Sequence, residues 1–243
     1  MDTKGAVGQP DGDATRFRPL VTVDVAIFCL RDDDLQVLLA CPGPEGTTWA
    51  IPGGPIGRDE DLEAAAVRTL EEQTGLRDVY LEQLYTFGQP GRVPGGPAIA
   101  VVYLAVVSAA DVAPAARGGA PPESRRGENG LRVRWWSIYD LPPLAFDHAA
   151  ILRYALTRLR FKLEYTAVGF KLLPPTFTLS ELQKAYEVIL GEELDKRNFR
   201  RKILAAGIIE PGGGTRSGEG RPAQLYRYRE DAVAEVKARR LFP

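Results

Sequence analysis

Two stretches of this 243-residue chain gather side chains suited to holding anions and metal ions. In the first, Glu60, Arg68, Glu71 and Glu72 follow the turn Pro52-Gly53-Gly54. A guanidinium beside glycine-rich backbone suits a diphosphate, because bare amides can approach its oxygens. Carboxylates there suit a divalent cation, which takes hard anionic oxygens. The second stretch, Asp195 to Lys202, reads DKRNFRRK. On a helix, Phe199 and Ile203 share the inward side, while Arg197, Arg200 and Arg201 share another. Several donors along one face are what phosphates and guanine edges require. Lys196, Asn198 and Lys202 complete that candidate DNA-binding set. Arg216 and Arg221 flank a Gly-rich tip, where an arginine can enter a minor groove or clamp a phosphate. A solvated basic face is the plain alternative.

The elements that must position these groups are legible. Leu20 to Leu30 alternates as a strand, and Leu35 to Ala40 returns as its hairpin partner after the polar turn Arg31–Asp34. A helix is expected from about Glu60 to Thr74, stopped by Gly75. Further strands are expected at Tyr80–Phe87, Ile99–Val107 and Leu131–Trp136. The Ala-, Pro- and Gly-rich stretch over 109–130 reads as a mobile insert. Asp147 is a candidate N-cap for a helix carrying Leu152, Leu156, Leu159 and Leu163 at helical spacing, a core stripe or a dimer seam. Thr178 and Glu181 form a capping box with Phe177 and Leu182 as its staple. That helix runs to Leu190 and ends at Gly191. A second follows from Asp195 to about Ala206, and Ile208–Glu210, a Gly-rich loop and Gln224–Tyr228 read as a hairpin. Helix, turn, helix, hairpin is the order of a winged helix-turn-helix.

Charge divides the chain in the same way. Through residue 157 there are 14 Lys and Arg against 21 Asp and Glu, and thereafter 17 against 11, so the rear half is suited to an anionic partner. With 44% hydrophobic and 26% charged residues the chain reads as a folded soluble protein, and no apolar run has membrane-spanning length. Residues 1–17 read as a disordered leader rather than a secretory signal, which points to the cytoplasm. Cys29 and Cys41 read as small buried thiols.

The segment GPIGRDEDLEAAAVRTLEEQTGL, Gly54 to Leu76, resembles the Nudix box, G-x5-E-x7-R-E-U-x-E-E-x-G-U with U a bulky aliphatic. Gly54, Glu60, Arg68, Leu70, Glu72, Gly75 and Leu76 match with the spacing intact. Thr69 and Gln73 stand where the resemblance implies glutamates that hold Mg²⁺ and help to activate water. At about 100° per residue, positions 69, 72 and 73 share one helix face and Glu71 lies nearly opposite position 69. Glu72, with Glu60 from the preceding loop, is then the remaining metal ligand pair. The expectation is weak metal binding, negligible hydrolysis and no catalytic residue. Effector binding without cleavage is assigned to Gly53, Gly54, Arg68, Glu72 and Gln73, with no cofactor required. The alternatives are a working hydrolase using other acids, Arg68 as a structural partner of Glu72, and Glu72 as a solvated carboxylate.

Together with LPPLAFDH, FTLSELQ and EGRPAQLY, these motifs resemble the Nudix-related transcriptional regulators over about residues 18–230. The resemblance implies an α/β Nudix-like sandwich followed by a C-terminal winged helix-turn-helix. The boundaries expected are a Nudix-like domain over 18–145, a linker helix and connection over 146–175, and a DNA-binding domain over 176–243. It further implies ADP-ribose or a related nucleotide as effector, a palindromic double-stranded operator, a homodimer, and repression of NAD-metabolism genes; some members respond to sugar-pathway ligands instead. The segment Leu141–Leu163 is the candidate coupling element. Within it His148 is assigned a structural role at a helix start, and the neighbouring Trp135 and Trp136 are assigned to buried packing. An RNA-binding module is disfavoured, because the strands carry no exposed aromatic series.

Overall fold

The computed structural model describes residues 18–43, 45–112, 125–126, 131–165, 168–217 and 222–232. Strands β1 (Leu20–Arg31) and β2 (Asp34–Cys41) form the expected hairpin. Its two-residue turn, Asp32 and Asp33, has φ of 50° and 57°, the doubly positive geometry that matches strand twist. They are followed by β3 (Gly53–Pro55), α1 (Leu62–Thr74), β4 (Tyr80–Phe87), β5 (Ala98–Val107), a helical turn α2 (Ala109–Val112), β6 (Arg125–Arg126) and β7 (Arg132–Ser137). Among the described residues these seven strands make one mixed sheet in the order β4-β5-β1-β2-β7-β6, with β3 added to β1. Only the β1–β5 pairing in it is parallel.

β1 lies at the middle of this sheet and is buried from Val23 to Cys29, as a strand covered on both faces must be. Val23, Val25 and Ile27 pack with Ala65, Ala66 and Leu70 of α1. On the opposite face, Ala26 and Phe28 pack with Ile151, Leu152, Ala155, Leu159 and Leu163 of the long helix α3 (His148–Tyr165). A sheet between two helices is the expected α/β sandwich. The leucine stripe of α3 is core, with Leu156 packed at its margin.

The rear half comprises α4 (Val168–Lys171), β8 (Phe177–Thr178), α5 (Leu179–Leu190), α6 (Lys196–Ala205), β9 (Ile209–Arg216) and β10 (Ala223–Tyr228). Both halves of the Thr178–Glu181 capping box are present, and Gly191 ends α5 at φ 76°. Asp195 caps α6, its side chain accepting from the Asn198 amide. β8, β10 and β9 close a three-stranded sheet behind the two helices, completing the expected winged helix-turn-helix. Leu182, Ala185, Tyr186 and Ile189 of α5 and Phe199 and Ile203 of α6 belong to the same apolar cluster as the α3 face of the front sheet. The two halves therefore share one continuous core.

Several expectations are corrected. The glycine run after Glu210 is not a loop: Gly212–Gly214 lie within β9, with an irregular register opposite Gln224 and Tyr226. The stretch over 109–130 contains α2 at its start and β6, which pairs with β7; its other residues lie outside the described ones. Asp147 stands at the start of α3, but its carboxylate is held by Arg92 (2.9 and 3.0 Å) rather than capping the helix amides. The leader over 1–17 and Arg221 lie outside the described residues. Both cysteines are buried, as expected. Among the described residues no helix is long and apolar enough to cross a membrane.

Candidate effector site and nucleic-acid interface

α1 starts where Asp61 accepts the Ala64 amide and stops where Gly75 adopts the left-handed conformation. These caps fix the direction of the charged box residues. Arg68 donates from Nε to Glu60 Oε1 (2.7 Å), from Nη2 to Glu60 Oε2 (2.9 Å) and from Nη1 to Glu72 Oε2 (3.3 Å). Its Nη2 also reaches the Pro55 carbonyl at 3.2 Å, tying the helix to β3. Glu60 accepts the Gly57 amide as well (2.8 Å). The hydrogen bond from Arg68, and after it the Gly57 amide, hold the Glu60 carboxyl down to about 2.

Positions 69, 72 and 73, neighbours on α1, meet three different surroundings. Thr69 points into the core at 1% exposure, and its hydroxyl has no hydrogen-bond partner among the described residues. Gln73 lies against β3, its Nε2 donating to the Gly53 carbonyl (2.8 Å) while its Oε1 accepts the Gly53 amide (3.2 Å). Glu72 faces solvent. With it, Glu71 also lines the concavity over α1, which has a volume of about 480 Å³ and is bordered by Asp61, Glu63 and Arg68. Glu71 does lie opposite Thr69, as the angular step implies, but with Thr69 turned into the core the opposite side is the one that faces solvent.

Mg²⁺ is the ion this fold implies, and the donor set fits it poorly. Both oxygens of Glu60 and one of Glu72 are engaged by a single guanidinium, and the Gln73 amide is neutral and spent on backbone. Mg²⁺ takes six oxygens in near-octahedral geometry and prefers anionic ones. Among the described residues no three His, Cys, Asp or Glu are gathered as metal ligands.

Behind the PGG turn lies a buried polar cluster that the sequence did not announce. Arg92, from the loop between β4 and β5, makes a two-pronged ion pair with Asp147 and has a side chain only 3% exposed. Asp24 on β1 lies beside them at 6% exposure. Burial pushes its carboxyl up to about 7, with Arg92 opposing that rise and Asp147 adding to it. Asp24 Oδ1 occupies the space a Cβ on Gly53 would need, 2.0 Å away, so glycine is required there. His148 Nδ1 accepts the Ile51 amide at 2.9 Å, and burial lowers this imidazole to about 4, leaving it neutral. The structural role expected of His148 thus has a specific form: it pins the start of α3 to the segment that leads into Pro52-Gly53-Gly54. Trp49 supports the same junction, donating to the Pro143 carbonyl and accepting from the Ala145 amide (2.9 and 2.8 Å). Trp136 packs edge-on against Trp49, and Trp135 packs against the α1-side core. None of these sequence-distant pairings has a local signal.

In the rear half, Phe199 and Ile203 anchor α6 in the core. Lys196, Arg197, Asn198 and Arg201 are exposed along the helix, and Arg200 and Lys202 are half-buried beside them. Arg200 donates to Ser180 Oγ (3.0 Å) and Arg201 to Asn198 Oδ1 (2.8 Å). Arg216 on the wing pairs with Glu181 and reaches the Thr176 carbonyl at 3.2 Å. Glu181 thus serves two ends: one oxygen closes the capping box of α5 and the other holds the wing.

A seven-stranded sandwich carrying this box, joined to a winged helix with a basic second helix, defines a Nudix domain fused to a DNA-binding module. Residues 21–158 match the NUDIX domain model, and residues 169–228 match that of the NrtR DNA-binding winged helix domain. The chain is 38% identical over 214 residues to the ADPR responsive transcriptional repressor NtrR of Acinetobacter baylyi, covering 86% of this chain and 82% of that relative. It superposes with a TM-score of 0.75 on the crystal structure of Shewanella oneidensis NrtR complexed with a 27mer DNA, at 34% identity over 90% of this chain and 96% of that one. The ADP-ribose pyrophosphatase of Methanocaldococcus jannaschii is 30% identical over 137 residues, 56% of this chain and 73% of that enzyme. The chain belongs to the NrtR family of Nudix-related transcriptional regulators.

Proposed function

We propose that this protein is a repressor whose Nudix domain binds ADP-ribose without cleaving it and whose winged helix binds a palindromic operator as a homodimer. The observation that carries the non-hydrolytic reading is the pairing of Gln73 with Gly53: the residue in a family carboxylate position is neutral and engaged with backbone. The regulator from Acinetobacter baylyi, named for its response to ADPR, supports the choice of effector. Arg68, Glu72, Gln73 and the backbone of Gly53 and Gly54 are the residues proposed to meet the diphosphate. Lys196, Arg197, Asn198, Arg200, Arg201 and Lys202 are proposed to meet DNA from α6 and Arg216 from the wing; Arg221, outside the described residues, is proposed as a further contact. Genes of NAD metabolism are the proposed regulon, and the cytoplasm the proposed location.

The effector acts by linkage. A ligand that binds the DNA-free conformation better lowers operator affinity by its differential affinity and by no more. The deciding experiment is titration of ADP-ribose into the full chain, with and without an operator duplex, while the solution is assayed for AMP and ribose 5-phosphate. Release of DNA with ADP-ribose intact is the expected result. Turnover would return the chain to the hydrolases, the reading favoured by its likeness to the pyrophosphatase.

A further inference from the structure

α5 ends with backbone carbonyls that no further turn of helix satisfies, as every helix does. The Glu187 carbonyl is taken by the amides of Gly191 (2.8 Å) and Glu192 (3.3 Å). The next two are served from the front half. Tyr139, just beyond β7, donates its hydroxyl to the carbonyls of Val188 (2.5 Å) and Ile189 (3.3 Å). Arg160, on α3, donates from Nε to the same Ile189 carbonyl at 2.8 Å. A cation at a helix C-terminus is additionally favoured by the helix dipole.

Both donors trace back to one segment, Trp49–Gly53. α3 begins at His148, which holds the Ile51 amide; Arg160 lies on the same unbroken helix, about 18 Å along its axis. Tyr139 follows β7, whose Trp136 packs on Trp49. At the other end, α5 determines where the proposed DNA contacts stand. Its Tyr186 packs on Phe199 of α6 with ring centroids 5.5 Å apart. Its Ser180 holds Arg200 and its Glu181 holds Arg216.

We infer that Tyr139 and Arg160 form the latch through which occupancy of the PGG turn is transmitted to the DNA-binding helices. They are positioning residues: neither is among the residues proposed to meet effector or DNA. A shift of the Trp49–Gly53 segment moves the start of α3 and the packing of β7 together. The two donors then carry that movement to a single helix end, and with it α6 and the wing. This inference rests on the proposed response to ADP-ribose and names the residues that convey it.

The test uses the full chain and three substitutions, Tyr139→Phe, Arg160→Gln and Arg160→Lys. Three constants are measured for each: operator Kd by fluorescence anisotropy with and without saturating ADP-ribose, and ADP-ribose Kd by calorimetry without DNA. Couplings of this kind run from about 5- to 150-fold. The ratio of the two operator constants is expected to collapse towards one in the Tyr139→Phe/Arg160→Gln double variant. Operator affinity without ADP-ribose and ADP-ribose affinity without DNA should both stay near wild type. Arg160→Lys, which keeps the charge, should retain most of the ratio. An unchanged ratio in a folded double variant overturns the latch. So does a double variant that cannot bind operator even without ADP-ribose, for the contact would then only hold the domain in place. A ratio of one in the wild-type chain would instead defeat the proposed function on which the latch depends.

Discussion

Gln73 grips the backbone of Gly53 on both sides, donating to its carbonyl at 2.8 Å and accepting from its amide at 3.2 Å. The pair fastens the box helix to β3 where a carboxylate could satisfy only the amide. Replacing Gln73 by Ala should cost about 2 kcal/mol, roughly 1 for each hydrogen bond, in denaturant unfolding, and should weaken ADP-ribose binding in calorimetry. Gln73→Glu should weaken binding without conferring turnover, since Thr69 remains buried and Glu60 remains held by Arg68. Appearance of AMP with that single change would mean that Gln73 alone silences the site and that Thr69 and the Arg68–Glu60 pair do not.

On α6, Arg200→Ala and Arg201→Ala should each weaken operator binding while leaving ADP-ribose binding intact. The salt dependence assigns the contact. Loss of a phosphate contact lowers the slope of log Kd against log salt by about 1, whereas loss of a base contact costs about 1–3 kcal/mol and relaxes specificity at one position. Unchanged operator affinity in both variants would remove α6 from the interface.

The buried cluster makes a pH prediction in which two groups oppose each other. Asp24 rises from 3.8 to about 7, so its contribution to stability is full below about pH 4 and is lost as pH rises to 7. His148 falls from 6.5 to about 4, so its contribution is full above pH 6.5 and is lost as pH falls to 4. Over the window they share, the two slopes offset. Asp24→Asn should expose the histidine, giving a stability that climbs on the order of 3 kcal/mol between about pH 4 and 6.5. His148→Gln should produce the reverse slope. Thermal melts across that range check both.

Arg92 holds Asp147 with a side chain 3% exposed. Its replacement by Met leaves Asp147, and Asp24 beside it, without a compensating charge, and removal of one partner from a buried pair costs about 3–5 kcal/mol. Chemical unfolding measures this directly. A loss below 1 kcal/mol would mean that the pair is hydrated in solution.

Elements with a local signal were readable in advance. The Thr178–Glu181 box, Gly75, Gly191 and the anchors Phe199 and Ile203 each announce themselves within a few residues, and each stands where the spacing put it. Groups whose roles depend on distant chain were not readable. β3 is a three-residue strand with two glycines, and its existence follows from its register with Val23 and Asp24. The glycines after Glu210 read as a loop because glycine disfavours strands; pairing with β10 overrides that preference. At the site, the box motif supplied the spacing by which Glu60, Arg68 and Glu72 come together in one ion-paired group. Equal steps around an ideal helix set Glu71 opposite Thr69, as found, but could not say which of the two faced the sheet. Arg92, Tyr139 and Arg160 act on partners far along the chain or on bare backbone carbonyls, and no pattern of residue types marks such partners.

The shared core has a consequence for how the molecule comes apart. Leu182, Tyr186 and Phe199 lie in one unbroken apolar cluster with Phe28, Leu152 and Leu159, so opening the winged helix strips cover from the sandwich as well. The two halves are therefore expected to unfold as one cooperative unit and to melt in a single transition. A small ligand on the front half is then expected to protect the rear half from proteases and heat without touching it.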